Sequence, residues 1–146
     1  MATVSPTEQE LRKLNTELRY YEQTAEAMQQ RINMLNATLT DLTYANMTLD
    51  SIQKEKENAE MMVPIGGSSY INVKLTKPDI VVVGMGSGVS IEKTLSEAKD
   101  IMKQRLDDVE KTRTQMQQQF TQTLERINQN RTRMESLLST IRQGQQ

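Results

Sequence analysis

The chain has 146 residues, of which 36% are hydrophobic and 3% aromatic, with no Trp and a single Phe; so few large rings disfavour a compact core and favour an elongated shape. A formal charge of −1 gives no electrostatic footprint for nucleic acid or an anionic membrane. The absence of Cys excludes disulfides and thiolate chemistry, and the absence of His removes the usual general base and the commonest metal ligand.

The first ten residues, MATVSPTEQE, lack the basic stretch followed by an apolar one that a signal peptide needs. Nowhere is there an apolar run long enough to span a bilayer. A cytoplasmic protein is expected, in which the sequons at Asn36, Asn46 and Asn130 are ordinary helix residues.

The sequence divides into a helical pattern, a strand pattern and a second helical pattern. Ser5-Pro6-Thr7-Glu8 opens the first: Ser5 caps, Pro6 suits the first helical position, and Glu8 completes a capping box. Leu11, Leu14, Leu18, Tyr21, Ala25, Met28, Ile32, Leu35, Leu39 and Leu42 then follow in steps of three and four, with Asn46 interrupting the seam before Leu49. Sustained over several heptads, this step argues coiled coil. With no Gly or Pro between Thr7 and Val63, one helix is expected over 6–58.

Residues 61–90 form the middle part and hold five of the six glycines. Met61 to Ile65 reads as a short strand and Gly66-Gly67-Ser68 as a turn. Tyr70 to Thr76 alternates, with Ile71, Val73 and Leu75 on one face. Lys77-Pro78-Asp79 is a second turn, Ile80 to Val83 is β-branched throughout, and Val89 begins a short return. Two small hairpins are expected. They are too small to be stable alone, and their unpaired edges imply pairing with strands of other subunits.

The last part, 91–142, mirrors the first. Ser90 is expected to cap it, and Arg142 followed by Gly144 marks its exit. Its seam reads Leu106, Val109, Arg113, Met116, Phe120, Thr123, Ile127, Asn130, Met134, Leu137 and Ile141. Upstream, Ile91, Leu95, Ala98 and Met102 continue it with one extra step of four. Two helices of about fifty residues, roughly 75 Å each, need partners for their narrow apolar stripes. The nearest partner is the other helix, folded back antiparallel; the alternative is that each helix pairs only with another chain. The fold class is therefore mainly α: a long antiparallel coiled-coil hairpin with two β-hairpins at its connecting end.

The stretch VVVGMGSGVSIEKTL, Val81 to Leu95, has the order of parts of a nucleotide-binding loop. Its glycines, Gly84, Gly86 and Gly88, give G-x-G-x-G, one residue short of the dinucleotide fingerprint. Glu92, standing where a P-loop has Gly before Lys-Thr, would repel a phosphate. A hairpin turn is the reading taken. No carboxylate pair is set apart for acid–base work, since Asp107, Asp108 and Glu110 sit among Lys and Arg. No catalytic, cofactor-binding or metal-binding residues are assigned.

If the helices pair antiparallel, Met1, Val4, Leu11 and Leu14 lie near Met134, Leu137, Leu138 and Ile141. Adjacent leucines cannot both face one seam, so either Leu137 or Leu138 should be partly exposed. An apolar tip can grip other proteins' apolar surface, or its leucines can merely close the coil.

Helix, two hairpins and a returning helix, with Val63-Pro64-Ile65-Gly66-Gly67-Ser68-Ser69-Tyr70 and Val81-Val82-Val83-Gly84-Met85-Gly86-Ser87-Gly88-Val89 between them, resemble an α-class prefoldin subunit of the archaeal type. The resemblance covers the whole chain, read as one prefoldin-like domain over 1–146, and two hairpins point to the α class because β-class subunits carry one. It implies a heterohexamer of two α and four β subunits, with hairpins joined in an intersubunit β-barrel. It further implies ATP-independent capture of unfolded proteins at the coiled-coil tips and transfer to a group II chaperonin, with no nucleic acid or membrane as partner. Under it, Val63, Ile65, Ile71, Val73, Leu75, Ile80, Val81, Val82, Val83 and Val89 fall to the oligomerisation strands. Val4, Leu11, Leu14, Met134, Leu137, Leu138 and Ile141 fall to the client-binding tips. The competing function is a structural coiled-coil adaptor that binds one defined partner.

Overall fold

The computed structural model describes residues 3–144; Met1, named with the tip residues, lies outside them. The element order is α1 (Pro6–Gln53), β1 (Ala59–Gly66), β2 (Ser69–Leu75), β3 (Ile80–Gly86), β4 (Val89–Thr94) and α2 (Leu95–Gly144). The capping box that opens α1 is formed as the sequence predicts. The Glu8 amide donates to Ser5 Oγ at 3.2 Å, and the Ser5 amide donates back to Glu8 Oε2 at 3.3 Å.

Five element boundaries differ from the sequence reading. α1 ends at Gln53 rather than at 58. No Gly or Pro marks that stop; the chain turns through Asn58, which adopts φ 65° and donates its amide to the Leu75 carbonyl at 2.6 Å. Asn is among the few residues that tolerate this left-handed region. The strands accordingly begin at Ala59 rather than 61 and extend to Thr94 rather than ending at 90. Ser90 and Ile91 are therefore strand residues, not the start of a helix at 91. The α2 cap is Thr94, whose Oγ1 accepts from the Glu97 amide at 3.2 Å, and α2 runs two residues beyond 142.

The residues group into two compact units, one from the residues up to Asn36 and from Lys111 onward, the other Ala37–Glu110. In the first unit α1 and α2 pack antiparallel. Glu10 meets Arg133 at 2.9 Å, Glu17 meets Asn130 at 3.4 Å, and Asn36 meets Arg113 at 3.3 Å, so the partner's number falls as that on α1 rises. Ala25, Ile32, Thr123, Ile127 and Leu137 are buried along this seam. Arg126 reaches across to Tyr21, donating to its hydroxyl at 3.2 Å with the guanidinium 5.8 Å from the ring centre.

In the second unit the same antiparallel sense holds. Asn46 Nδ2 donates to the Leu42 carbonyl at 2.9 Å and to the Met102 carbonyl at 3.3 Å, so the polar residue that interrupts the seam is satisfied by both helices. Leu49, Val83, Leu95 and Ala98 form the buried cluster, with Ile52, Val81, Ile101 and Met102 packed around it. The seam residues named from the sequence of α1, and those from Leu106 onward in α2, are all buried or half-buried.

The four strands make two separate two-stranded antiparallel sheets, β1–β2 and β3–β4. They repeat one another twenty residues apart: Val63 pairs with Ile71 and Val83 with Ile91, while Gly66–Ser69 and Gly86–Val89 flank the turns. Each register slips just before its turn, leaving Ile65 and Met85 as the extra residues of a bulge. Gly67 and Ser68 in one turn, and Ser87 and Gly88 in the other, all have positive φ, as a two-residue type I′ turn requires.

Candidate functional site

The glycine-rich stretch that resembles a phosphate loop joins two antiparallel strands. Its Lys93 and Thr94 stand on β4, opposite Val81 and Ile80. Arg105 of α2 clasps this turn, donating from Nη2 to the Gly84 carbonyl at 2.8 Å and to Met85 Sδ at 3.8 Å. Among the described residues, no group of three or more His, Cys, Asp or Glu side chains is placed to hold a metal ion. No helix among them is long and apolar enough to cross a membrane.

The surfaces that stand out are apolar and lie on the hairpins. Cross-strand partners share a face, so Ala59–Leu75, Met61–Val73 and Val63–Ile71 give the first hairpin one wholly apolar side. That side is half-buried at its base and open toward its turn, where Val63 and Ile71 are exposed. On the second hairpin the equivalent side carries Val83, fully buried, and Val81, half-buried, while Ile91 opposite Val83 stays exposed. Ile80 and Val82 face outward, as does Val89 beside the turn.

Among the strand residues named from the sequence, Val63, Ile65, Ile71, Ile80, Val82 and Val89 are exposed. Val73, Leu75 and Val81 are half-buried, and Val83 is enclosed within its own chain. Residues missed in that reading are Met85 and Ile91, both exposed. The signal for Ile91 was present in the β-branched alternation after Val89, but the assumed cap at Ser90 obscured it.

The residues named for the tips belong to the first unit. Val4, Leu11, Leu14, Met134 and Ile141 are half-buried. The adjacent leucines separate as their spacing predicts, Leu137 7% and Leu138 42% exposed. Further exposed apolar side chains lie on α1 at Tyr20, Met34, Tyr44 and Met47. They were legible as apolar residues off the seam: Tyr44, between Leu42 and Asn46, must point away from it.

Two long helices joined through two small two-stranded antiparallel sheets define the class of fold. The particular family follows from comparison with known proteins. Residues 21–144 match the family model described as "Prefoldin subunit". The chain is 31% identical to prefoldin subunit alpha of Methanococcoides burtonii over 70% of its own length and 75% of the relative's. It is 32% identical to prefoldin subunit alpha of Methanosarcina mazei, over 75% and 77%. Among solved structures it resembles a chain of the filamentous PFD of Methanocaldococcus jannaschii, with TM-score 0.67 and 26% identity over 79% of this chain and 95% of that one. This chain belongs to the prefoldin family, a family of chaperone subunits.

Proposed function

We propose that this chain is the α-class subunit of an ATP-independent holdase, a cytoplasmic heterohexamer of two α and four β subunits. Its hairpins join those of the partners in an intersubunit β-barrel, and its helix ends capture unfolded proteins for transfer to a group II chaperonin. The observation that carries this reading is the pair of two-stranded sheets, each with free edges and exposed apolar side chains such as Ile65, Ile71, Val82 and Val89. Isolated two-stranded sheets are marginal in water, and unpaired edges recruit other strands. The matches to α subunits support the class. The oligomerisation strands are the ten residues from Val63 to Val89 named above. The capture surface is the apolar end formed by Val4, Leu11, Leu14, Met134, Leu137, Leu138 and Ile141.

The native mass of the complex that copurifies with the chain tests assembly: two copies with four of a smaller helical subunit is the expected result. Deleting 1–12 and 136–146 should then leave that mass ratio intact and weaken suppression of client aggregation. Full activity after the deletion would remove the tips from the mechanism.

A specific observation favours the adaptor as second reading: of the seven tip residues, Leu138 alone is exposed, the others being covered at least in part. An adaptor predicts one defined partner and indifference to unfolded proteins as a class.

A further inference from the structure

The two hairpins share one design but not one degree of support from their own chain. On the second, Val83 is 0% exposed, enclosed with Leu49, Leu95 and Ala98. Arg105 of α2 holds the same hairpin farther out, donating to the Gly84 carbonyl at 2.8 Å and to Met85 Sδ at 3.8 Å. Its base is tied to α2 by the Leu95 amide, which donates to the Asp79 carbonyl at 2.9 Å. On the first hairpin, Ala59, Met61, Val73 and Leu75 at the base are half-buried. Beyond them the cover ends. Val63, in the register position of Val83, is 38% exposed, and Ile71 opposite it is 49% exposed. Ile65, the bulge residue that corresponds to Met85, is exposed as well.

We propose that Val83 and Arg105 hold the second hairpin formed in the unassembled chain, whereas the outer half of the first, residues 62–71, orders only on assembly. The ordering step rests on the reading that the hairpins assemble; the contrast within the unassembled chain does not. A lone two-stranded hairpin is marginal in water and needs a third strand or a helix behind it. The second hairpin has that helix. Burial of Val83 and the bond from Arg105 to the Gly84 carbonyl both oppose the entropy of fixing its backbone. In the first, the outer pairs Met62–Asn72, Val63–Ile71 and Pro64–Tyr70 leave their apolar side chains largely in water, so little transfer free energy offsets the same entropy. Such a segment behaves as its own low-stability unit beside a better-anchored one. Association through the first hairpin then carries an ordering cost that association through the second does not.

The test is amide hydrogen exchange on the full chain, first diluted until its native mass is that of one copy, then in the complex it forms with the subunits that copurify with it. Each amide from Met62 to Ile71 is compared with its counterpart twenty residues on, after correction for intrinsic rate. The expected result in the unassembled chain is exchange at least about tenfold faster in the first set. In the complex that difference should close. Arg105→Gln, with helix content monitored by circular dichroism, should speed the second set in the unassembled chain and leave the first unchanged. Equal exchange of the two sets in the unassembled chain, or no effect of Arg105→Gln at unchanged helix content, overturns the proposal and leaves the assembly reading standing. A contrast that persists unaltered in the complex removes the first hairpin from assembly, and the ordering step falls with the reading on which it rests.

Discussion

Lys99 Nζ lies 2.8 Å from Asp50 Oδ1 and donates to Gln53 Oε1 at 2.6 Å, clipping the last turn of α1 to the first turns of α2. The hydrogen bond from Lys99, then the charge of Lys99 and, more weakly, that of Lys54 hold the Asp50 carboxyl below its ordinary value, against a small opposing effect of desolvation. A carboxylate whose folded pKa is depressed stabilises the fold fully above the unfolded value, about 3.9 for Asp. That contribution is lost as pH falls through the folded value. Asp50→Asn should therefore lower the urea midpoint slightly at pH 7, and the gap to the unsubstituted chain should close as pH falls below about 4. Because both side chains are solvent-accessible, 0.5 M salt should narrow the same gap at neutral pH.

Val63 and Val83 occupy equivalent positions in their hairpins but should respond differently to truncation. Val83→Ala removes two buried methyl groups and should cost about 2 kcal/mol by chemical denaturation. Val63→Ala in the unassembled chain should cost under about 0.5 kcal/mol, as expected of an exposed site. Equal losses would show that the enclosure of Val83 is not what stabilises the second hairpin.

Gly86 and Ser87 set the second turn. Gly86 has φ 99°, a region unfavourable to any side chain, although no neighbouring atom would obstruct a Cβ. Gly86→Ala should destabilise the hairpin by about 1–3 kcal/mol through backbone strain alone. Ser87, at φ 52°, already bears such strain, so Ser87→Gly should be neutral or slightly stabilising. Amide hydrogen exchange across β3 and β4 reads both, and an unchanged exchange pattern in Gly86→Ala would refute the assignment of strain.

Polar seam residues should exchange stability for register. Asn46 bonds to carbonyls on both helices, whereas Arg113 bonds to Asn36 through Nη1 while its buried Nε has no hydrogen-bond partner among the described residues. Arg113→Leu should raise the thermal midpoint by removing that unsatisfied donor. Asn46→Leu should do less, because it also deletes the bonds to Leu42 and Met102. Cysteine pairs introduced along the seam should then crosslink in more than one register in the Asn46→Leu chain and in one register in the unsubstituted chain.

Much of this architecture was legible because helix and strand impose different periods on the same residues. The step of three and four from Leu11 to Leu49 and from Leu106 to Ile141 identified the seam, and the Ser5–Glu8 pair identified the start of α1. The five glycines between Ile65 and Val89 located both turns. The resemblance to prefoldin supplied the family, which those periods alone do not name.

Tertiary structure decided what periodicity does not encode. The exit of α1 at Gln53 is governed by the pairing of Ala59 with Leu75, and the entry to α2 at Thr94 by the pairing of Ile80 with Thr94. Both are contacts between residues distant in sequence; no Gly or Pro announces the exit near 53, whereas Thr94 and Glu97 form a local cap that the sequence reading placed at Ser90 instead. Val63 and Val83 have the same residue type and the same register, yet one is exposed and the other enclosed. The difference comes from the helix-pair end, where Leu49, Leu95 and Ala98 converge from two helices. Sequence determined which residues are apolar and which face of an element they share; only packing determined which of those faces this chain covers by itself.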